Sequence, residues 1–256
     1  MKTLVSVTQR IKQVKQPRGG YIKPKEFAVV NFNDMVELNP EENIHSSLVG
    51  LTVDYVTRYS MGTPLEGAFK ISLMGASIID EMDNAQQLLN EITGLDDKSL
   101  TNACKLTGYD VCYRAGPMGY RDVQDIEPDS ATLFNIRTMV DRSMAFMKEY
   151  GPIVKDGFTF IGGYTEIVTA GDGDFLTSDT LWDFKVSTKP PTNAHTLQLL
   201  MYYIMGQHSV HKEFRDIKKL GFFNPRLNQA YTLDVSTIPF WIINEVSSKV
   251  IGYQTI

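Results

Sequence analysis

The run formed by residues 170–203 restricts the possible folds of this chain more than any other stretch. Residues 171–177 and 180–187 are strand-like runs on either side of a short polar turn, which is the pattern of a β-hairpin. Pro190-Pro191 ends the second run, and a helix is predicted to follow over 192–208. The sequence therefore predicts strand, tight turn, strand and helix in direct succession.

Around this run, the spacing of apolar residues separates a helical first part of the chain from a strand-rich second part. The predicted helices cover residues 3–16, 41–59, 64–82, 83–92, 98–114 and 130–150, and a closing helix begins at Ser236 or Thr237. The predicted strands cover residues 158–168, 171–177, 180–187, 217–224 and 229–235. This order predicts an α/β fold with a central mixed β-sheet flanked by helices and a largely helical N-terminal part. Residues 1–256 are predicted to form one domain, with 63–150 as a helical insertion or lobe and 157–249 as the sheet core.

The composition is that of a globular chain, since 43% of its 256 residues are hydrophobic and 21% are charged. No run approaches the ~18 apolar residues that a membrane span needs, so no membrane partner is expected. The N-terminus lacks the apolar region of a signal peptide. Cys104 and Cys112 have neither a disulfide-framework spacing nor a zinc-ligand spacing, which indicates buried thiols in a reducing cytoplasm.

Charge is distributed unevenly along the chain. The formal net charge of -5 argues against tight non-specific DNA binding, but it is compatible with an acidic metal site. The first 25 residues are the most basic part, and their predicted helix carries an apolar face of Leu4, Val7, Ile11 and Val14. Two interpretations of the basic face stay open: a solvated helix surface or an arm that contacts phosphates.

Five polar residues of the 170–203 run are predicted to converge, and they are Asp174, Asp183, Lys185, Gln198 and Tyr202. Asp183 and Lys185 lie two residues apart on a strand, so their side chains leave the same face. Gln198 and Tyr202 lie four residues apart on a helix and also share a face. Two carboxylates, one ammonium group and a polar helix edge are what a magnesium-dependent site for phosphodiester cleavage requires.

The Asp-x-Lys tripeptide is by itself a weak signal, because chance produces about one in a chain of this length. It occurs here at Asp96–Lys98, Asp183–Lys185 and Asp216–Lys218. Only the middle copy follows a strand that carries an aspartate, comes directly after apolar residues of its own strand, and is followed by an amphipathic helix. This context selects the middle copy as the candidate site.

In this stretch the sequence resembles the PD-(D/E)XK nuclease superfamily, and within it the RecB-type branch. That family places an Asp on a strand after Gly, then Asp/Glu-x-Lys at the end of a hydrophobic strand, then Gln-x-x-x-Tyr on a helix. The matching residues are Gly171 and Asp174, Asp183-Phe184-Lys185, and Gln198 with Tyr202. The branch also has an early Gly-x-x-x-His, for which this chain has Gly50-Leu51-Thr52-Val53-Asp54, with Asp replacing His.

The resemblance implies a restriction-endonuclease-like core and a Mg²⁺-dependent or Mn²⁺-dependent nuclease that hydrolyses DNA, single- or double-stranded. It also implies roles for individual residues. Asp174, Asp183 and the backbone carbonyl of Phe184 would bind the metal, with Asp54 and Glu166 as weaker candidates. Lys185 would position or deprotonate the attacking water or hold the scissile phosphate, oriented by Gln198 and Tyr202, and Lys189 would contact phosphate. Small stand-alone chains of this family are common in phages and mobile elements.

Other interpretations of the same residues stay open. Asp174 can be a turn residue in Gly-Asp-Gly-Asp, although Asp172 suits a turn better. Asp183 and Lys185 can form a surface ion pair, and Gln198 with Tyr202 can be merely a helix edge. His195, near the predicted helix start, is interpreted as a surface residue. The alternative function is a catalytically inactive module of the same fold that binds nucleic acid or a protein partner.

Overall fold

The structure, a computed structural model, describes residues 5–254 and divides into two compact units. The sheet unit comprises Met1–Phe32 and Met147–Ile256, and the helical unit comprises Asn33–Phe146. The strands are β1 (Ala28–Asn31), β2 (Lys155–Thr159), β3 (Asp172–Leu176), β4 (Thr180–Phe184), β5 (Lys219–Asn224) and β6 (Gln229–Asp234). The α-helices are α1 (Val7–Gln13), α2 (Ser46–Ser60), α3 (Leu65–Ala68), α4 (Lys70–Ile78), α5 (Met82–Asn90), α6 (Asp97–Thr107), α7 (Asp110–Ala115), α8 (Ser130–Tyr150), α9 (Asn193–His208) and α10 (Phe240–Glu245). Of the helices within residues 5–254, none is long and apolar enough to span a membrane.

The six strands form one mixed sheet in the order β1-β6-β5-β4-β3-β2. β4 and β5 are parallel, and every other neighbouring pair is antiparallel. Parallel neighbours need a long crossover, and α9 lies in the connection between β4 and β5. The predicted α/β fold with a mixed sheet and flanking helices is thus confirmed.

β4 is buried along almost its whole length because both faces of the sheet are covered. On one face, Leu181 belongs to the apolar cluster that includes the buried residues of α9. On the other face, Trp182 stacks on Phe175 and meets the edge of Tyr150, with ring centroids 6.3 and 5.4 Å apart. Because side chains alternate along a strand, Asp183 and Leu181 lie on the face covered by α9.

Two strand predictions in the sheet unit need correction. The strand predicted over 158–168 instead covers Lys155–Thr159. The chain turns at Gly162, whose φ is +87°, and at Gly163, where a Cβ atom would lie 2.2 Å from the backbone oxygen of Met205. A sixth strand, β1, pairs with the outer edge of β6 and is absent from the predicted strands.

Several predicted helix boundaries are wrong, chiefly in the helical unit. α2 begins at Ser46, after His45, whose Nδ1 accepts a hydrogen bond from the backbone N–H of Ser47 at 3.2 Å. The predicted early start, at 41, does not form, and α2 belongs to the helical unit and not to the sheet core. The helix predicted over 64–82 breaks into two, α3 and α4, and Asp80, with a φ of +59°, separates α4 from α5, the counterpart of the helix predicted over 83–92. The closing helix begins at Phe240, after Pro239, and not at Ser236 or Thr237.

One ion pair gives the helical unit a predictable response to acid. Arg142, which is buried, donates from Nε to Asp34 Oδ2 at 2.6 Å and from Nη2 to Oδ1 at 3.0 Å. These hydrogen bonds lower the pKa of Asp34 below its ordinary value of 3.8. A lowered pKa means that the pair stabilises the fold above about pH 4 and that this contribution is lost as pH falls through the lowered pKa.

We therefore expect Asp34→Asn to lower the free energy of unfolding by about 1 kcal/mol at pH 7, a modest amount because Asp34 is partly exposed to solvent. The difference between the wild type and the variant should shrink at pH 3. Urea unfolding at the two pH values measures it, with Glu37→Gln as the control at a nearby exposed carboxylate. A difference that is the same at both pH values would contradict this account.

Candidate functional site

Asp174 and Asp183 lie across from one another at the open end of the β3–β4 hairpin. The regular pairing of the two strands covers Phe175 with Trp182 and Leu176 with Leu181. Just beyond it, Asp174 Oδ2 accepts a hydrogen bond from the backbone N–H of Phe184 at 2.7 Å. The carboxylate thus replaces a main-chain carbonyl as the hydrogen-bond acceptor, and it connects β3 to Phe184 at the end of β4. Asp174 lies on strand β3 and is not a turn residue.

Lys185 follows β4 and turns its ammonium group back towards Asp183. Its Nζ lies 2.7 Å from Asp183 Oδ2 and donates to Gln198 Oε1 at 3.2 Å. Its backbone N–H donates to Phe223 O at 2.9 Å, which continues the hydrogen bonding of β4 with β5. The Asp183 side chain is only 3% exposed and that of Lys185 is 22% exposed, so the pair is largely shielded from water.

α9 supplies the third side of the site through Gln198 and Tyr202. Gln198 Nε2 donates to the Tyr202 hydroxyl at 2.9 Å, so the amide nitrogen faces Tyr202 and the amide oxygen faces Lys185. Tyr202 is buried, and its ring stacks on Phe160 with centroids 4.9 Å apart. The amide is therefore held in one orientation by a packed aromatic side chain.

The surroundings of Tyr202 keep its hydroxyl protonated. Burial raises the pKa of Tyr202 well above its ordinary range, and the negative charges of Asp183 and Asp174 raise it further. Tyr202 is consequently a neutral phenol at any physiological pH. The structure thus links four of the predicted side chains by direct contacts, Asp183, Lys185, Gln198 and Tyr202, and places Asp174 opposite Asp183 on the neighbouring strand.

His195 is a neighbour of this group that the sequence analysis interpreted as a surface residue. It is partly buried on α9, and its Nδ1 accepts a hydrogen bond from the backbone N–H of Thr192 at 3.2 Å. Burial lowers the pKa of His195, and the positive charge of Lys185 lowers it further. The signal in the sequence was its spacing, because His195 lies three residues before Gln198 and seven before Tyr202, on one helix face.

Asn224, at the end of β5, is a second residue that the sequence analysis missed. Its side chain is buried, and Nδ2 donates to Ser187 O at 2.8 Å. Its Oδ1 accepts from the backbone N–H of Arg226 at 3.0 Å. Asn224 therefore fixes the segment that follows Lys185 to the turn that follows β5. Its position before Pro225 indicates a turn but does not reveal this contact.

The residues that the sequence offered as weaker metal or phosphate ligands lie in other segments of the chain. Lys189 is exposed in the loop before α9, and Glu166 is exposed in the loop before β3. Asp172 is the first residue of β3 and is not the turn residue that the sequence suggested. Asp54 belongs to the helical unit, where Arg58 donates to its two oxygens at 2.9 and 3.2 Å.

The two carboxylates of the site suit a metal ion that needs few protein ligands. Within residues 5–254, no three His, Cys, Asp or Glu side chains come together as a metal-binding cluster. A site with only two carboxylates suits Mg²⁺, which proteins hold through one or two carboxylates while it keeps several waters. Asp174 and Asp183 are the residues that fit this role.

Comparisons with protein-family models, with curated proteins and with solved structures find no match to this chain.

Proposed function

We propose that this protein is a metal-dependent nuclease that hydrolyses DNA phosphodiester bonds, with a restriction-endonuclease-like core of the RecB type. The observation that carries the proposal is the position of the Lys185 ammonium group. It lies 2.7 Å from a buried carboxylate of its own strand and 3.2 Å from an amide of the following helix. Asp174, on the adjacent strand, completes the set that the PD-(D/E)XK motif requires.

Asp174 and Asp183 would hold a Mg²⁺ or Mn²⁺ ion, together with the backbone carbonyl of Phe184. When bound, such an ion supplies a water of lowered pKa and neutralises charge on the phosphate. The hydrogen bond from Phe184 N–H to Asp174 fixes one oxygen of that carboxylate at the edge of β4. The two acids are thereby held on strands whose positions the sheet determines, which is what a preorganised site needs.

Lys185 is the residue of this chain that can handle a proton or a phosphate oxygen. Its ammonium group is held between Asp183 and Gln198, and the buried Tyr202 fixes the amide of Gln198 in turn. A lysine held in this way can orient the attacking water, accept its proton after deprotonation, or bind the scissile phosphate. Tyr202 acts through Gln198 and is a positioning residue.

A second function is favoured by the same ion pair. Asp183 and Lys185 compensate each other's charge at 2.7 Å, so the same pair can serve a purely structural role. In that case the protein would be an inactive module of this fold that binds nucleic acid or a protein partner.

The two functions are separated by incubating the protein with labelled single- and double-stranded DNA in Mg²⁺, Mn²⁺ or EDTA. We expect cleavage that EDTA abolishes and that Lys185→Met lowers roughly 100-fold or more, since a positioned proton-transfer group contributes about that much. Lys212→Met is the matched control at an exposed lysine of the same unit that is not a predicted site residue, and it should change the rate by less than about threefold. Salt-sensitive binding without cleavage in any metal would favour the inactive module instead.

A further inference from the structure

Basic residues are concentrated in the first 25 residues of the chain. The whole chain has 25 Lys and Arg and 30 Asp and Glu. Residues 1–25 contain seven of the basic residues and none of the acidic ones, so the remaining residues are strongly acidic. Charge segregation of this kind is typical of basic arms that bind polyanions.

Val7 holds this segment beside the strand that carries Asp174. Val7, the first residue of α1, donates its backbone N–H to Ala170 O at 2.9 Å. A Cβ atom added at Gly171 would lie 2.9 Å from Val7 Cγ2, so the two segments are in close contact. Asp174 follows Gly171 by three residues.

The end of the segment is fixed beside the helix that carries Gln198. Gly20 has a φ of +95°, and a Cβ atom there would lie 2.7 Å from Asn193 Cβ, so glycine is required at this approach. Thr196 Oγ1 donates to Ile22 O at 2.7 Å. Val7 therefore contacts the residues that lead into β3, and Gly20 and Ile22 contact the first turn of α9.

Between these anchors the apolar side chains point inward and the charges outward. Val7 is buried, and Ile11 and Val14 pack against the core of the sheet unit. Arg10 is an anchor, since it donates to the backbone oxygens of Lys249 and Val250 at 2.9 Å. Five exposed cations form what we call the basic arm, and none of them forms an ion pair within residues 5–254: Lys12, Lys15, Arg18, Lys23 and Lys25.

We propose that the basic arm is the surface that binds the phosphates of a nucleic-acid strand beside the candidate site. The inference rests on the proposed function for the identity of its ligand, but it concerns binding and not cleavage. A nucleic acid is favoured over an anionic membrane because the apolar face of α1 is packed into the core and cannot enter lipid.

The test measures binding of a fluorescent 20-nucleotide single-stranded DNA by anisotropy in EDTA, using full-length protein that carries Asp183→Asn so that cleavage is not involved. The arm variant replaces the five cations of the basic arm with Gln. The matched control replaces five other exposed cations with Gln: Lys70, Arg121, Lys148, Lys212 and Lys218. Circular dichroism checks that both variants are folded, and a third variant with Arg at the four lysines of the arm keeps the charge.

We expect the arm variant to bind at least roughly tenfold more weakly at 50 mM salt, because each single-strand phosphate contact contributes about -0.7 to the slope of log affinity against log salt. The slope should become shallower by about 3.5 if all five cations contact phosphates, whereas the control and the Arg variant should match the parent. Equal losses in the arm and control variants, or a parent that does not bind DNA, would overturn the inference. So would arm-dependent binding to phosphatidylserine vesicles that exceeds binding to DNA. Arm-dependent DNA binding by a protein that never cleaves DNA would instead overturn only the nuclease proposal.

Discussion

Asp183→Asn is expected to lower metal-dependent DNA cleavage by roughly 1000-fold or more, since a metal ion contributes several kcal/mol to such a transition state and each 1.36 kcal/mol is tenfold in rate. Asp183 is the most buried charge of the site, and Asn keeps its size while removing the negative charge. The heat of Mg²⁺ binding in isothermal titration should be lost together with activity, because Mg²⁺ prefers charged oxygen ligands.

Asp179→Asn is the matched control for this substitution. Asp179 lies in the turn of the same hairpin and also pairs with a lysine, Lys219, at 3.3 Å, but at the opposite end of the strands from Asp183. We expect its effect on cleavage to be less than about threefold, as for an exposed ion pair. If Asp183→Asn cleaves within tenfold of the wild type while binding the same amount of Mg²⁺, Asp183 has no part in catalysis.

Local sequence signals were sufficient to predict the elements that carry the site. The β3–β4 hairpin is bounded by polar residues, and a proline pair and a helix cap separate it from α9, so the order strand, turn, strand and helix could be read directly. The periods of two along a strand and about 3.6 along a helix then placed Asp183 with Lys185, and Gln198 with Tyr202. These relations involve residues that are close in the chain.

Contacts between distant parts of the chain could not be predicted in this way. The hydrogen bond from Thr196 to Ile22 joins residues 174 positions apart, and Asn224 meets Ser187 across 37 positions. Nothing in the local composition around these residues indicates such partners. The strand predicted over 158–168 was wrong for a related reason, since Gly163 turns the backbone against a residue of α9 that lies far along the chain.

The helical unit contains a buried polar cluster that the sequence did not indicate. Asp110, the first residue of α7, is only 2% exposed. Its carboxylate accepts hydrogen bonds from the Tyr55 hydroxyl at 2.7 Å and from Ser72 Oγ at 2.6 Å. Arg114 donates to the same carboxylate at 3.2 Å and to the Tyr55 hydroxyl at 3.1 Å. Burial and the charge of Asp110 raise the pKa of Tyr55, so its hydroxyl remains a donor.

Asp110→Ala is therefore expected to lower the free energy of unfolding by about 3 kcal/mol or more, because each buried donor left without an acceptor costs roughly 1–3 kcal/mol. Chemical denaturation followed by circular dichroism measures the loss, and amide hydrogen exchange locates it. Protection should fall in α4 and α7, which carry Ser72 and Asp110, more than in β4 and α9. Asp83→Ala, at an exposed aspartate in the first turn of α5, is the control and should cost less than about 0.5 kcal/mol. A loss of similar size in the two variants would show that the cluster contributes no more than an ordinary surface carboxylate.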